Sequence, residues 1–389
     1  MREWPGGDSL TVRTMWIARK RNFLILRAPP MNRFLLHFAL LLAPLAALNA
    51  DPPIAVFPGE HWEKLEKPAE HGWSAAKLDE AHQFAKTAGS VALLVVHHGV
   101  IVDDWGATTR RLNVHSIRKS LLSALIGQEV EAGKIRLGDT LEKLGFDDNA
   151  PSLTPEEKQA TVGDLLKARS GIYHRANYET DSMNARRPER GSHPHDTFFF
   201  YNNWDFNALG SIYERATGVG VFEGFKRGLA EPLQMEDFRM EDTEYVRGPA
   251  SMHPAYLFRL TARDMARVGL LYSRAGQWRG RQVIPASWVA DSVTPYSSST
   301  KTNGRVRAGY GYLWWTSWEG MQFENLKLPD GSFSARGHGG HIILVAPSLD
   351  LVVVHRVNAD EKGGASVEYS QFGSLMKLIL EAMPRQSAP

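Results

Sequence analysis

"NVHSIRKSLLSALIGQEVEAGKI" (113–135) is the stretch that decides the fold. Ser116 and Lys119 stand three positions apart in it, and the apolar run from Leu121 to Val130 predicts a helix that stops near Gly133. Positions i and i+3 of a helix share a face, so the hydroxyl and the amine can approach. A lysine among apolar groups loses solvation, its pKa falls, and it can accept the serine proton. The alternative is a purely structural role, in which the serine caps the helix and the lysine reaches solvent.

The segments around this stretch predict an α+β fold, in which an antiparallel sheet is flanked by helices. Ser74–Ala88 has the pattern of an amphipathic helix with Ser74 as its N-cap, and residues 90–106 predict a hairpin that turns at His98-Gly99. Closely spaced strands are expected at 309–317, 332–337, 341–348 and 350–357, before a terminal helix over Ser366–Met383. Between them, helices are expected at 204–218, 222–233 and 261–276, separated by long loops rich in proline and glycine. We therefore expect a sheet domain, 51–138 plus 306–389, and an inserted, mainly helical domain, 139–305.

The N-terminal segment predicts export to the periplasm or secretion. Residues 31–50, "MNRFLLHFALLLAPLAALNA", have a basic start, an apolar centre and a small-residue end, as signal peptides do, so residues 1–30 read as an upstream extension. A retained membrane anchor is the alternative, although the apolar part is short for a span. After cleavage no stable membrane insertion is expected. Of 45 Lys and Arg and 43 Asp and Glu, seven and two lie in residues 1–50, which leaves a formal charge of −3 in residues 51–389 and argues against a nucleic-acid partner.

The chain has no cysteine, which excludes thiol catalysis, disulfides and cysteine-based zinc sites. The histidine-rich loop "RGSHPHD" (190–196) suggests a metal hydrolase as one alternative, but no H-E-x-x-H spacing accompanies it. We therefore expect neither a metal nor a cofactor, with His193 and His195 at the rim of a cleft.

Two further stretches carry residues typical of catalysis. "FYNNWDFNALG" (200–210) places Tyr201 and Asn203 in a turn before a helix, and "SARGHGGHIILVAP" (334–347) places His338 at the start of an apolar strand. The order SxxK, YxN and HxG resembles the serine β-lactamase and penicillin-binding-protein superfamily, over roughly residues 75–385. The class C-like branch, with its esterases, D-aminopeptidases and nylon-oligomer hydrolases, is the most similar.

The resemblance implies a role for each matched residue. Ser116 would be the acylated nucleophile, Lys119 and Tyr201 would share proton transfer, and Asn203 would bind Lys119 and the substrate. His338 would replace the lysine of the third motif, and the N–H groups of Ser116 and His341 would form an oxyanion hole. The remaining expected site residues are Gly339 and Gly340, which leave room beside an intermediate, and Tyr173, a substrate contact. Taken singly, Tyr201 could be packing, Asn203 a helix cap and His338 a surface residue.

Together these residues predict an exported serine hydrolase that cleaves a small ester, amide or peptide without a cofactor. A penicillin-recognising sensor, or a weak β-lactamase with little turnover, is the alternative. Phe198–Phe200 are also candidates to line the pocket. Trp314 and Trp315 are expected to point in opposite directions on one strand, so that at most one faces the site.

Overall fold

A computed structural model describes residues 56–300, 306–319, 321–324, 326–361 and 364–385 of the 389-residue chain. The upstream extension (1–30) and the signal peptide (31–50) that the sequence predicts lie outside these residues. None of the helices in the described stretches has the length and apolar character that crossing a bilayer requires.

The described residues contain ten α-helices and fifteen strands. The helices are α1 (Ala75–Ala88), α2 (Ile117–Glu131), α3 (Leu141–Leu144), α4 (Val162–Leu166), α5 (Asp181–Ala185), α6 (Asn203–Thr217), α7 (Val221–Phe225), α8 (Ala262–Ser273), α9 (Ala286–Ser292) and α10 (Tyr369–Ala382). The strands are β1 (Ser90–His97), β2 (Val100–Gly106), β3 (Leu112–Asn113), β4 (Thr243–Gly248), β5 (Ser251–Leu260), β6 (Gln277–Trp278), β7 (Arg281–Gln282), β8 (Ser297–Thr300), β9 (Val306–Tyr310), β10 (Trp315–Thr316), β11 (Met321–Phe323), β12 (Leu326–Lys327), β13 (Phe333–Gly337), β14 (His341–Ala346) and β15 (Leu351–Val357).

Eight strands form one antiparallel sheet in the order β2-β1-β15-β14-β13-β10-β9-β8. The predicted hairpin is confirmed, because His97 pairs with Val100 and the two residues between them are left-handed, with φ of 53° at His98 and 81° at Gly99. Two left-handed residues make the tight turn that suits the twist of a hairpin. The α+β fold class that the sequence predicts is confirmed.

Helices cover both faces of the large sheet, as the alternation of side chains along β1 requires. Leu93 and Val95 pack in one cluster with residues of α1 and α10, whereas Leu94 and Val96 pack in another with residues of α2 and α8. Ser74 caps α1 as predicted, because its side chain accepts from the backbone N–H of Lys77. The SxxK motif lies at the start of α2, which packs on the face of the sheet that carries Leu94 and Val96.

The region predicted as a mainly helical insertion, 139–305, also contains strands that the sequence did not indicate. Among them, β4 and β5 form a three-stranded sheet with β3. Pro254 and the irregular burial along β5 explain why this segment lacks a clear strand pattern. The helix expected at 261–276 is α8, and it packs on β14 and β15 of the large sheet. A Cβ on Gly269 of α8 would lie 2.5 Å from Val352 Cγ1, so glycine permits this close approach.

Two predicted elements are shorter than expected. The strand expected at 309–317 is divided into β9 and β10 by a turn over 311–314, in which the Gly311 N–H donates to the Trp314 carbonyl. Ser120 of α2 donates to the Leu313 carbonyl in this turn, which ties it to the helix of the nucleophile motif. The helix expected at 222–233 is α7, followed by a π-helical turn over Lys226–Ala230.

Candidate active site

The first turn of α2 joins Ser116 to Lys119. Ser116 is the N-cap residue, yet its side chain makes no capping hydrogen bond, and Lys119 is only 1% exposed. Lys119 Nζ instead donates to Ser116 Oγ at 2.7 Å. The purely structural alternative, in which the serine caps the helix and the lysine reaches solvent, therefore does not describe this pair.

Tyr201 completes this arrangement from the segment before α6. Lys119 Nζ donates to the Tyr201 hydroxyl at 2.8 Å, and it lies 4.4 Å from the centroid of the same ring and 4.8 Å from that of Phe206. Asn202 holds the start of α6, because its side chain accepts from the backbone N–H of Trp204. One amine thus contacts both hydroxyls, as the predicted proton transfer requires.

Burial shifts the pKa values of both Lys119 and Tyr201. It lowers the pKa of Lys119 well below its usual value, and the positive charge of Arg118 lowers it further. Burial raises the pKa of Tyr201, while a hydrogen bond from Ser116 and the charge of Arg118 oppose that rise. The environment therefore favours an uncharged amine, the form of lysine that can accept a proton.

Asn203 makes a different contact from the one predicted. Its Nδ2 donates to the Tyr178 carbonyl, and its Oδ1 is buried without a hydrogen-bond partner. Within the described residues no hydrogen bond joins it to Lys119. The capping alternative is also wrong, since Asn202 is the cap. As the first residue of α6, Asn203 turns its amide toward the 178 segment.

The His338-Gly339-Gly340 stretch forms a turn between β13 and β14. His338 is exposed, while Gly339 and Gly340 are left-handed, with φ of 81° and 105°. A Cβ would lie 2.6 Å from Ala359 Cβ at Gly339 and 2.6 Å from the Val367 carbonyl oxygen at Gly340. The positive φ and the contacts with Ala359 and Val367 therefore explain the two glycines, while the predicted room beside an intermediate stays a prediction.

His341 is buried, and the structure gives its side chain a packing partner. Arg356 Nε donates to its Nδ1 at 2.9 Å, and burial together with this charge lowers the pKa of His341 well below its usual value. Arg356 also donates to the carbonyls of Leu112 and Leu260, so it links the third motif to β3, just before Ser116. The oxyanion-hole role of the His341 N–H stays a prediction.

His115 is a site residue that the sequence analysis missed, although it directly precedes Ser116. Its ring centroid lies 5.7 Å from that of His338 and 5.2 Å from that of His341. Its Nδ1 lies 2.9 Å from the Tyr178 hydroxyl and its Nε2 lies 3.2 Å from Asp360 Oδ1. Burial lowers the pKa of His115 to about 4, so its ring is neutral at pH 7. It is the side chain through which the first and third motifs meet.

Aromatic rings line the side of the site next to Tyr201. The Trp315 ring stacks on that of Tyr201, with centroids 5.4 Å apart, and Phe199 lies edge-on to Trp315. Trp314 is fully buried and packs on Tyr272 and Phe333, so of the two tryptophans Trp315 is the one beside Tyr201. The predicted reason is wrong, because Trp314 lies in the turn before β10 and not on one strand with Trp315.

Tyr173 is 5% exposed and packs edge-on against His193 and Phe200, and burial raises its pKa to about 12. Its substrate contact stays a prediction.

The two loop histidines have different partners, since His193 stacks on Phe198 while His195 Nδ1 lies 3.0 Å from Asp164 Oδ2. The described part of the chain contains no group of three or more His, Asp or Glu residues that could hold a metal.

Comparison with known proteins shows which family and which fold this chain resembles. An uncharacterized protein of Alkalihalophilus pseudofirmus is 21% identical over 302 residues, which cover 69% of this chain and 83% of that protein. A family VIII carboxylesterase has a similar structure, with a TM-score of 0.56 and 15% identity, over 79% of this chain and 97% of the esterase. A mutant class C beta-lactamase gives a TM-score of 0.58 and 14% identity, over 83% of this chain and 100% of that enzyme. The model of the Beta-lactamase family matches residues 75–371, so the chain belongs to the beta-lactamase family.

Proposed function

We propose that the protein is an exported serine hydrolase that cleaves a small ester or amide through an acyl-serine intermediate. One observation carries this proposal: Lys119 Nζ lies 2.7 Å from Ser116 Oγ and 2.8 Å from the Tyr201 hydroxyl. A hydroxyl within hydrogen-bond reach of a base is the arrangement of an activated nucleophile. The family relation supports the same chemistry.

In the acylation step, the Ser116 proton passes to the neutral amine of Lys119 while Oγ forms a bond to the substrate carbonyl carbon. The tetrahedral intermediate then collapses, and the bond to the leaving alcohol or amine breaks. The leaving group takes the proton from Lys119 through the Tyr201 hydroxyl, which restores the amine. The predicted N–H donors of Ser116 and His341 stabilise the carbonyl oxygen as it gains negative charge, and one such donor is worth roughly a hundredfold to a thousandfold in rate.

Deacylation repeats these steps with water. A water molecule gives a proton to the Lys119–Tyr201 pair and attacks the acyl carbon, and the bond to Ser116 Oγ breaks. The serine oxygen recovers its proton, and a carboxylic acid leaves. The same two groups thus act as base and then as acid in each half of the reaction.

Three observations support the remaining parts of the proposal. The aromatic side of the site, with Trp315 against Tyr201, suits an apolar acyl group. The fold is similar to that of a carboxylesterase. Residues 31–50 have the pattern of a signal peptide, which supports export.

The proposal is tested by comparing wild type with Ser116→Ala and Ser123→Ala. Ser123 is a buried serine of the same helix whose hydroxyl lies 3.5 Å from that of Ser292, so its variant is a matched control. Turnover of p-nitrophenyl butyrate, D-alanine amide and nitrocefin is measured, together with the mass added by a fluorophosphonate. Turnover and labelling are expected in wild type and Ser123→Ala and absent in Ser116→Ala. Equal labelling of all three proteins contradicts the proposal. Persistent labelling by a fluorescent penicillin without turnover of any substrate supports the sensor alternative instead.

A further inference from the structure

Arg118, the residue before Lys119, is a fully buried guanidinium inside α2. Its exposed fraction is 0%, its Nη2 donates to Asn207 Oδ1 of α6 at 3.0 Å, and its Cζ lies 4.5 Å from the centroid of the Tyr256 ring on β5. An arginine stays protonated at any pH at which proteins fold. The helix of the nucleophile therefore carries a permanent positive charge beside its lysine.

In the described part of the chain, no carboxylate forms an ion pair with this charge. Arg118 Nε and Nη1 also have no hydrogen-bond partner there. Both groups that contact it, the Asn207 amide and the Tyr256 ring, are neutral. Burial of an unpaired charge costs several kcal/mol, which is why buried charges are normally paired. A feature this costly for stability is expected to serve the site.

We propose that the buried, uncompensated charge of Arg118 adds to the effect of burial in keeping the Lys119 amine uncharged, so that Arg118 is a positioning residue acting through Lys119. This inference rests on the proposed function, in which the neutral amine takes the serine proton. Positive charges on two consecutive buried residues repel in a low-dielectric interior, and the lysine relieves the repulsion by losing its proton. Arg118 cannot do so, which fixes the direction of the effect.

The electrostatics of the neighbouring groups agree with this assignment. The charge of Arg118 lowers the pKa of Lys119 and acts in the same direction on Tyr201, where burial opposes it. Asp205 of α6 is bonded to Ser170 and Asn202, and burial raises its pKa well above its usual value. The other titratable or charged groups around Lys119, Arg118 and their ring partners are Tyr178, Glu214, Tyr256, Tyr310, Arg336 and Tyr369. Glu214 accepts a hydrogen bond from Tyr245, and no ion pair joins it to Arg118 among the described residues.

Asn207 offers a way to cancel the charge without removing Arg118. The variant Asn207→Asp places a carboxylate on the existing 3.0 Å contact, whereas Asn207→Leu places an uncharged group there. Both substitutions lose the hydrogen bond from Asn207 Nδ2 to the Asn177 carbonyl, so they are matched in that respect. A third variant, Arg118→Met, removes the positive charge itself.

The experiment records kcat/KM for p-nitrophenyl butyrate from pH 5 to 10. In Asn207→Asp and Arg118→Met the acid limb is expected to move to higher pH by about one pH unit or more, the effect of a unit charge within about 12 Å at an effective dielectric of about 20. At a given pH on the acid limb, activity then falls at least about tenfold and it recovers at alkaline pH, whereas damage to the fold would lower it at every pH. In Asn207→Leu the acid limb is expected to stay at its wild-type position. If the acid limb of the kcat/KM profile lies at the same pH in Asn207→Asp as in Asn207→Leu, the inference is overturned.

A second readout does not depend on catalysis. The Cε signal of Lys119 is titrated by NMR in protein labelled with ¹³C-lysine, and it is assigned by its loss in Lys119→Met. The inference requires that its midpoint rise in Asn207→Asp and Arg118→Met but not in Asn207→Leu, and unchanged midpoints overturn it. Failure of the proposed function is recognised separately, because Ser116→Ala would then label and turn over like wild type.

Discussion

The amine of Lys119 donates a hydrogen bond of 2.8 Å to the hydroxyl of Tyr201, although 82 residues separate the two in the chain. The same amine donates to Ser116 Oγ at 2.7 Å. Tyr201 lies just before α6 and Lys119 lies in α2, and these two helices pack on each other. The packing of two helices thus sets the contact between the lysine and the phenol.

Tyr201→Phe is expected to lower kcat/KM for p-nitrophenyl butyrate by about 10²–10⁴-fold, the range for loss of a positioned acid–base group. The ring, and with it the stacking on Trp315, is retained, so only the hydroxyl is lost. Tyr310→Phe is the matched control. Tyr310 is also buried, its ring centroid lies 5.8 Å from that of Tyr201, and removal of its hydroxyl leaves the Lys119 contacts intact. A Tyr201→Phe enzyme within twofold of wild type would exclude the phenol from proton transfer.

Lys119→Met is expected to abolish turnover and, at pH 6, to raise the free energy of unfolding by about 1 kcal/mol or more. Burial lowers the pKa of Lys119 in the folded state, so the unfolded chain binds the proton more tightly and wild type is destabilised at low pH. This destabilisation is complete below the folded-state pKa. It fades as the pH rises toward the unfolded-state value of about 10.4. Methionine has a similar shape and no charge to bury.

Urea denaturation of both proteins at pH 6, 8 and 10 checks this prediction. The stability advantage of Lys119→Met is expected to shrink as the pH rises. Lys143→Met is the control, since Lys143 has a 59% exposed side chain paired with Asp139 and its variant loses the same charge from the surface. An advantage that is absent at pH 6, or that grows with pH, would mean that Lys119 is charged in the folded protein.

Local signals made much of the fold predictable from the sequence. Ser74 marks the start of α1, and His98-Gly99 marks the hairpin, because caps and tight turns depend on residues close together in the chain. The order of the three motifs indicated the family, and the contact between Ser116 and Lys119 follows from helical spacing.

Long-range packing explains what could not be predicted. Asn203 bonds to Tyr178 rather than to Lys119, because the path of the 178 segment decides which acceptor its amide meets. Gly311 begins the turn that divides a predicted strand. A Cβ on this residue would lie 2.0 Å from the Ser292 carbonyl oxygen, so the residue must be glycine for a reason that lies in a distant segment. The burial of Arg118 depends on Asn207 and Tyr256, which come from elements 89 or more positions away. No pattern local to the quoted stretch contains this information.

Gly340→Ala is expected to lower the free energy of unfolding by about 3 kcal/mol or more and to reduce kcat for ester hydrolysis. Two costs combine, because the residue has a φ of 105° and an added Cβ would lie 2.6 Å from the Val367 carbonyl oxygen. Gly331→Ala separates them, since Gly331 also has a positive φ, 77°, but has no atom within 4 Å of its added Cβ. That control is expected to lose about 1 kcal/mol, the cost of the left-handed backbone alone, with kcat unchanged. Urea denaturation and kcat of the two variants check this. Equal losses of stability would mean that the chain at Val367 moves aside, and an unchanged kcat in Gly340→Ala would place the third-motif turn outside the catalytic machinery.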